Sequence, residues 1–251
     1  MPTRRAPAPR RFKSLRIALQ FGRGTWVVAR RFPAMDRVQR LEEIQRWARQ
    51  LLQILQIEVQ SNRLPPPGFA GLVVCNHLSW LDVLVLQTLL PGVFVAKTEV
   101  SRWPLVGYLA QACATIFVDR SSPRSARAMV EDTAAAIGQG YAVVVFPEGS
   151  SSDGSALGNF HANIFESAIR ARSGVQLLTL HYQDQATGEA ASAAHFTGDM
   201  TLLSSLKRVM ASSTIQARVH LGDCLATQGH SRKSLALQAH GKIRAQLLAP
   251  V

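Results

Sequence analysis

Cysteines, acids and long apolar runs are all scarce in this chain of 251 residues, and each shortage closes off a class of protein. The three cysteines, Cys75, Cys113 and Cys224, are odd in number, widely separated and never in a Cys-x-x-Cys pair. That argues against a disulfide framework and a zinc site, and it predicts a reducing, cytosolic-side environment. No G-x-S-x-G occurs, so a serine hydrolase lacks its nucleophile elbow. No stretch supplies the roughly 18 uninterrupted apolar residues that a conventional transmembrane helix needs. The start "MPTRRAPAPRRFKSLRIALQFGRG" opens with charge as a signal peptide does, but Arg16, Gln20 and Arg23 interrupt any apolar core.

What acids there are sit late in the chain. The formal net charge is +12, and through Arg63 there are fourteen Lys and Arg against four acids, so the basic excess belongs to the N-terminal quarter. A nearly neutral body with no recognised nucleic-acid-binding motif excludes nucleic acid as the expected partner and leaves an anionic membrane surface. Residues 1–13 read as a disordered basic tail with almost nothing apolar to bury. Residues 14–63 read as an amphipathic, basic, membrane-associating helical segment. Its first part mixes Leu15, Ile17, Leu19, Phe21 and Trp26 with arginines, which suits either a membrane interface or a protein surface. Its second part, residues 37–57, carries Val38, Leu41, Ile44, Trp47, Leu51, Leu52 and Leu55 at three- and four-residue steps, one apolar helical face with either the body or lipid beneath it. "NRLPPPGF" then ends the helix and begins a separate body, because three prolines cannot continue it.

With 47% hydrophobic residues, the chain can bury a sizeable core. The body alternates short apolar runs with helical patterns. The runs are 71–75, 93–96, 114–118, 141–146, 175–180 and 217–221; the helices between them fall near 79–90, 123–138, 163–172, 200–211 and 231–248. Continuous apolar runs of this length suit strands buried on both faces, so the fold class is α/β, one domain with a largely parallel or mixed central sheet flanked by helices. In such sheets chemistry gathers beyond the carboxyl ends of the strands. Three of those ends are polar: Asn76-His77-Leu78-Ser79-Trp80-Leu81-Asp82, Asp119-Arg120, and Glu148-Gly149-Ser150 after Phe146-Pro147.

Each of these has a plain structural explanation beside a chemical one. Ser79 and Asp82 have the spacing of a helix N-terminal cap. His77 and Asp82 also suit a base and the carboxylate that orients it, although five residues on one continuous helix would set them about 140° apart. That pairing requires His77 in the turn before a helix starting near Ser79. Arg120 pairs with Asp119 or holds a phosphate bidentately. Glu148 with its small neighbours closes a strand or meets a polar ligand.

Together these stretches resemble the lysophosphatidic acid acyltransferase, or PlsC-like, family of glycerolipid acyltransferases. "NHLSWLD" resembles the family's first block, "VAKTEVSRWPLVGYLAQACATIFVDR" its second and "VVVFPEGSSSDG" its third, in order, within a likeness spanning about 45–225. The resemblance implies that residues 64–251 form an acyltransferase domain on the cytoplasmic face of a membrane, peripheral or monotopic. His77 would take the proton from the free hydroxyl of a lyso-lipid, 1-acylglycerol 3-phosphate first among acceptors, and Asp82 would orient His77. The oxygen would attack an acyl thioester of acyl-CoA or acyl-carrier protein directly, with no covalent intermediate, cofactor or metal. Lys97, Arg120, Glu148, Gly149 and Ser150 would bind substrate. Three departures stand out: Ser150-Ser151 where Thr-Arg is common, Ala114 in place of a frequent Gly, and Leu177 in place of a Pro. The first makes lyso-ornithine lipid, whose headgroup lacks phosphate, the alternative acceptor. A non-catalytic lipid-binding protein of the same fold is the second alternative.

Overall fold

In the computed structural model, which describes residues 10–119 and 122–249, the N-terminal quarter supplies two helices and the first strand of the sheet. Helix α1 spans Arg10–Arg30, so the last residues of the expected basic tail are helical, and residues 1–9 lie outside the described residues. Helix α2 spans Arg37–Leu55 and opens on a reciprocal cap: Asp36 accepts the Gln39 N–H at 2.9 Å, and Gln39 Oε1 accepts the Asp36 N–H at 3.1 Å. Gln56 then turns left-handed, and strand β1 (Ile57–Ser61) follows at once. This strand carries no strong sequence signal, since it is short and its outer positions are polar. It pairs in parallel with the last strand, so the sheet of the body begins before the expected boundary at residue 63.

The remaining elements follow the expected order, with two short helices added between residues 98 and 112. They are β2 (Gly71–Cys75), α3 (Leu81–Leu89), β3 (Val93–Lys97), α4 (Thr98–Ser101), α5 (Val106–Ala112), β4 (Ile116–Val118), α6 (Pro123–Gly138) and β5 (Ala142–Val145). Then come α7 (Phe165–Arg170), β6 (Val175–Asp184), α8 (Leu202–Ala211), β7 (Ile215–Leu225) and α9 (Arg232–Leu248). The strands form one seven-stranded sheet in the order β1-β7-β6-β2-β5-β3-β4. All neighbouring pairs are parallel except β6 and β7, which run antiparallel. Both are longer than their apolar runs, because the antiparallel ladder continues past the point where β2 ends.

Burial follows the strand period. Val73 and Cys75 of β2 enter the core on the side of α2 and α3, while Leu72 and Val74 enter the core on the side of α7 and α9. With both faces covered, the whole strand is buried, which is why its sequence is uninterruptedly apolar. Ala114, at the position of a frequent family glycine, sits at φ 57°, a left-handed conformation that costs an alanine roughly 1–2 kcal/mol.

The two N-terminal helices lie antiparallel on this body. The apolar face of α2 packs inward, with Ala48, Leu51, Leu52 and Leu55 buried against the core. Helix α1 joins it through polar bonds: Trp47 Nε1 donates to the Gln20 carbonyl at 2.9 Å, and Arg23 reaches Glu43 at 2.6 Å and Gln50 at 2.7 Å. Gly24 permits this approach, since a Cβ there would lie 2.7 Å from Trp47 Nε1. The other side of α1 is open, with Phe12, Leu15, Leu19 and Trp26 exposed. At about 100° per residue these four fall within about 60° of one another, roughly 130° around the helix from buried Ile17, Gln20 and Val27.

Because the α2 stripe rests on protein, Leu52→Ala should cost about 2–5 kcal/mol of unfolding free energy in urea titration. A loss near zero would mean that this face does not pack on the body.

Candidate active site

The parallel neighbours β2, β5 and β3 end on one rim, and their next residues meet there. After β2 the chain does not enter a helix at Ser79. Helix α3 starts at Leu81, has no side-chain cap, and Ser79 Oγ has no hydrogen-bond partner among the described residues. The intervening turn wraps around Asp82 instead. One carboxylate oxygen of Asp82 accepts from His77 Nδ1 at 2.7 Å, from the Leu78 N–H at 2.7 Å and from the Ser79 N–H at 2.9 Å. The other accepts from the Tyr182 hydroxyl at 2.8 Å. One carboxylate therefore holds both the imidazole and the two N–H groups of the turn before the helix, while the cap expected from the Ser79 side chain is not made.

This arrangement assigns the histidine tautomer. Both oxygens of Asp82 are ringed by donors, so Nδ1 carries a proton, and in the neutral ring the lone pair is on Nε2. The ring is also held from the side, stacked on Phe146 with centroids 4.1 Å apart and planes 10° apart. Nε2 is left for the cavity that His77 lines.

Glu148, expected to bind substrate, meets two backbone N–H groups. One of its oxygens accepts the His77 backbone N–H at 2.7 Å and the other the Gly158 N–H at 2.8 Å. A Cβ on Gly158 would come within 3.0 Å of that carboxylate, so the glycine permits the approach. Burial pushes the Glu148 carboxyl above the usual range, an effect that the two N–H donors and nearby His77 reduce without cancelling. Gly149 turns the chain at φ 83°, and Ser152 donates its N–H to the His77 carbonyl at 2.9 Å, which folds this loop against the histidine.

Lys97, Gly149 and Ser150 line the same cavity as His77, whereas Arg120 lies outside the described residues. Two further residues complete the site through strand pairing: Asn76 stands in the polar stretch 76–82 without any sign of its partner, and Tyr182 carries no signal in the sequence. Asn76 clips the far end of β6, donating to the Leu180 carbonyl at 3.0 Å and accepting the Leu180 N–H at 2.8 Å. Tyr182, two residues on and on the same strand face, reaches Asp82. Among the described residues no group of three or more His, Cys, Asp or Glu is placed to hold a metal ion.

The cavity measures about 860 Å³ and is mostly apolar. It runs between the N-terminal helices and the body, past Phe21, Val28, Trp47, Leu84, Leu109 and Leu206. A basic nitrogen at the wall of such a slot can take a proton from a hydroxyl group on an otherwise apolar molecule.

Known proteins resemble this chain along most of its length. Residues 56–183 match the family model described as Acyltransferase. The chain is 34% identical over 233 residues to the lyso-ornithine lipid O-acyltransferase of Pseudomonas aeruginosa, covering 92% of this chain and 89% of that protein. It is 32% identical over 191 residues to the 1-acyl-sn-glycerol-3-phosphate acyltransferase of Neisseria meningitidis, covering 76% and 74% respectively. The crystal structure of the 1-acyl-sn-glycerophosphate acyltransferase PlsC from Thermotoga maritima shares its fold, with a TM-score of 0.64 over 95% of this chain and 96% of that one at 18% identity.

The two backbone bonds of Glu148 make a prediction that separates a clamp from a substrate ligand. Glu148→Ala leaves two N–H groups unpaired and should cost about 1–3 kcal/mol in chemical denaturation, with turnover falling through kcat. Unchanged stability with a raised acceptor KM would instead make Glu148 a substrate-binding group.

Proposed function

The chain belongs to the Acyltransferase family and is an O-acyltransferase, and from that premise we propose that it transfers a fatty acyl group from acyl-CoA or acyl-carrier protein to the free hydroxyl of a lyso-lipid. The observation that carries the proposal is the His77 Nδ1 bond to Asp82 at the wall of an apolar cavity, which in the neutral ring places the lone pair on Nε2. Nε2 takes the hydroxyl proton as the oxygen attacks the thioester carbonyl carbon. Asp82 stabilises the imidazolium that forms. Collapse of the tetrahedral intermediate breaks the carbon–sulfur bond, and the imidazolium returns its proton to the departing thiolate. An acyl chain filling the slot also keeps water from the thioester, which favours transfer over hydrolysis.

For the acceptor we favour lyso-ornithine lipid. Ser150 and Ser151 stand where the family commonly carries Thr-Arg, so one phosphate-binding guanidinium is missing, and an amino-acid headgroup does not require it. The Pseudomonas aeruginosa relative named for that acceptor supports the same choice. The second reading, 1-acylglycerol 3-phosphate, is favoured by Lys97 in the cavity wall and by the Neisseria meningitidis relative.

No helix among the described residues is long and apolar enough to cross a membrane. The outward face of α1, with Phe12, Leu15, Leu19 and Trp26, instead suits shallow insertion at an anionic surface, with the basic excess of this quarter drawn to headgroups.

Purified protein given an acyl thioester and a panel of lyso-lipids should release free thiol, fastest with lyso-ornithine lipid. His77→Ala should slow release by about 10²–10⁴-fold. Lack of transfer to every acceptor, or undiminished transfer by His77→Ala, would refute the reaction; faster use of 1-acylglycerol 3-phosphate would select the second acceptor. Replacing Leu15, Leu19 and Trp26 together by Ser should weaken binding to vesicles containing phosphatidylglycerol, and unchanged binding would refute the interfacial role of α1.

A further inference from the structure

The four donors on Asp82 come from two different places. Three belong to the turn that Asp82 itself organises: the His77 ring and the Leu78 and Ser79 N–H groups, all on one oxygen. Tyr182 is the one donor from outside that turn among the described residues, and it holds the other oxygen. Without it, the carboxylate would be set only by three bonds to a single oxygen, all from its own turn, although that turn is itself tied to the body through Glu148 and Ser152. Taking His77 as the base, we propose that Tyr182 is a positioning residue that fixes the rotation of the Asp82 carboxylate relative to the sheet, and through it the aim of the His77 ring into the cavity.

Several observations bear on this assignment. A carboxylate's terminal torsion is broad, so bonds to one oxygen leave it loosely set, and a donor on the second oxygen narrows it. Tyr182 is itself held firmly. It lies on the part of β6 that extends beyond Cys75, the last residue of β2, and Asn76 clips that extension at Leu180, two residues before the tyrosine. It is 2% exposed, and Asp82 is fully buried, so water does not compete for the bond. Burial first, and then the Asp82 charge, push the phenol well above its usual range, which keeps it a donor across the working pH.

Tyr182→Phe keeps the ring and removes the donor. The expected result is a kcat lowered about tenfold with both KM values unmoved. The downfield proton resonance of His77 Nδ1–H, identified by its loss in His77→Ala, should shift as well. In an Asp82→Asn background the same substitution should cost kcat little more. A tyrosine that merely supported the fold would lower Tm while leaving the resonance and the kcat of the folded protein unchanged; that result, or equal losses in both backgrounds, overturns the proposal. The resonance is read without substrate, so it tests Tyr182 even if no acceptor is acylated, and the two readings fail separately. If Tyr182→Phe does not fold, 3-fluorotyrosine at position 182 preserves shape and alters donor strength. It should move the same resonance, and an unmoved one overturns the proposal.

Discussion

A carboxylate sealed from water, Asp82, is the constraint around which this site is arranged. A buried charge is costly unless it is surrounded by donors, and hydrogen bonds to a charged group contribute about 1.5–3 kcal/mol each. Asp82 has four. Collecting them requires a turn with two successive N–H groups pointing inward, an imidazole at its start, and a strand long enough to bring a phenol under it. The shape of the 77–80 turn and the start of α3 at Leu81 follow from that need, and the extension of β6, held by its ladder with β7, meets it with Tyr182. Removing the carboxylate would unsettle the turn that carries His77, which is why its orienting and structural roles cannot be separated.

A second carboxylate does for the backbone of His77 what Asp82 does for its ring. Val74 and Val145 are register partners in parallel strands, so the chain leaves the sheet at neighbouring points and Glu148 arrives beside His77. Glu148 holds the His77 N–H, the loop after Gly149 holds its carbonyl, Asp82 holds Nδ1 and Phe146 covers one ring face. Nearly every way for this residue to move is opposed, and the atom left over is the lone pair at Nε2. Orientation settled before a substrate arrives lowers the entropy lost on reaching the transition state.

Most of the sheet was legible in the sequence because strands buried on both faces must be apolar throughout, as "GLVVC" and "YAVVVF" are. The convergence of the His77 and Glu148 strand ends followed from the same parallel order; the third end expected there is Asp119-Arg120, and Lys97 is read from the family blocks alone. Strand β1 was not legible: its polar outer positions leave too little periodicity to distinguish it from a linker. The direction of β7 and the full length of β6 depend on long-range pairing, and so did Tyr182 and the Asn76 clip. Asp82 shows a different limit. Spacing suggested two competing uses of its carboxylate, and only the fold of the turn reveals that they are compatible. For Glu148 the residue type was informative and the partner was not, since a carboxylate that meets a ligand and one that meets two backbone N–H groups look alike in sequence.

The N-terminal hairpin joins the site to whatever covers its outer side. Helix α1 lines the cavity with Ile17, Phe21 and Val28 and turns Leu15, Leu19 and Trp26 outward, so one helix is both inner wall and outer surface. It is attached by polar bonds through Gln20, Arg23, Trp47 and the buried Glu43, and by apolar contacts, with Ile17 in the core and Phe21 edge-on to Trp47. The directional bonds set the spacing and rotation of α1, and the apolar contacts add burial. Contact along that outer face therefore bears on a wall of the slot, whereas the supports of His77 come from elsewhere: Asp82 in the first turn of α3, Glu148 and Ser152 in the loop after β5, and Phe146.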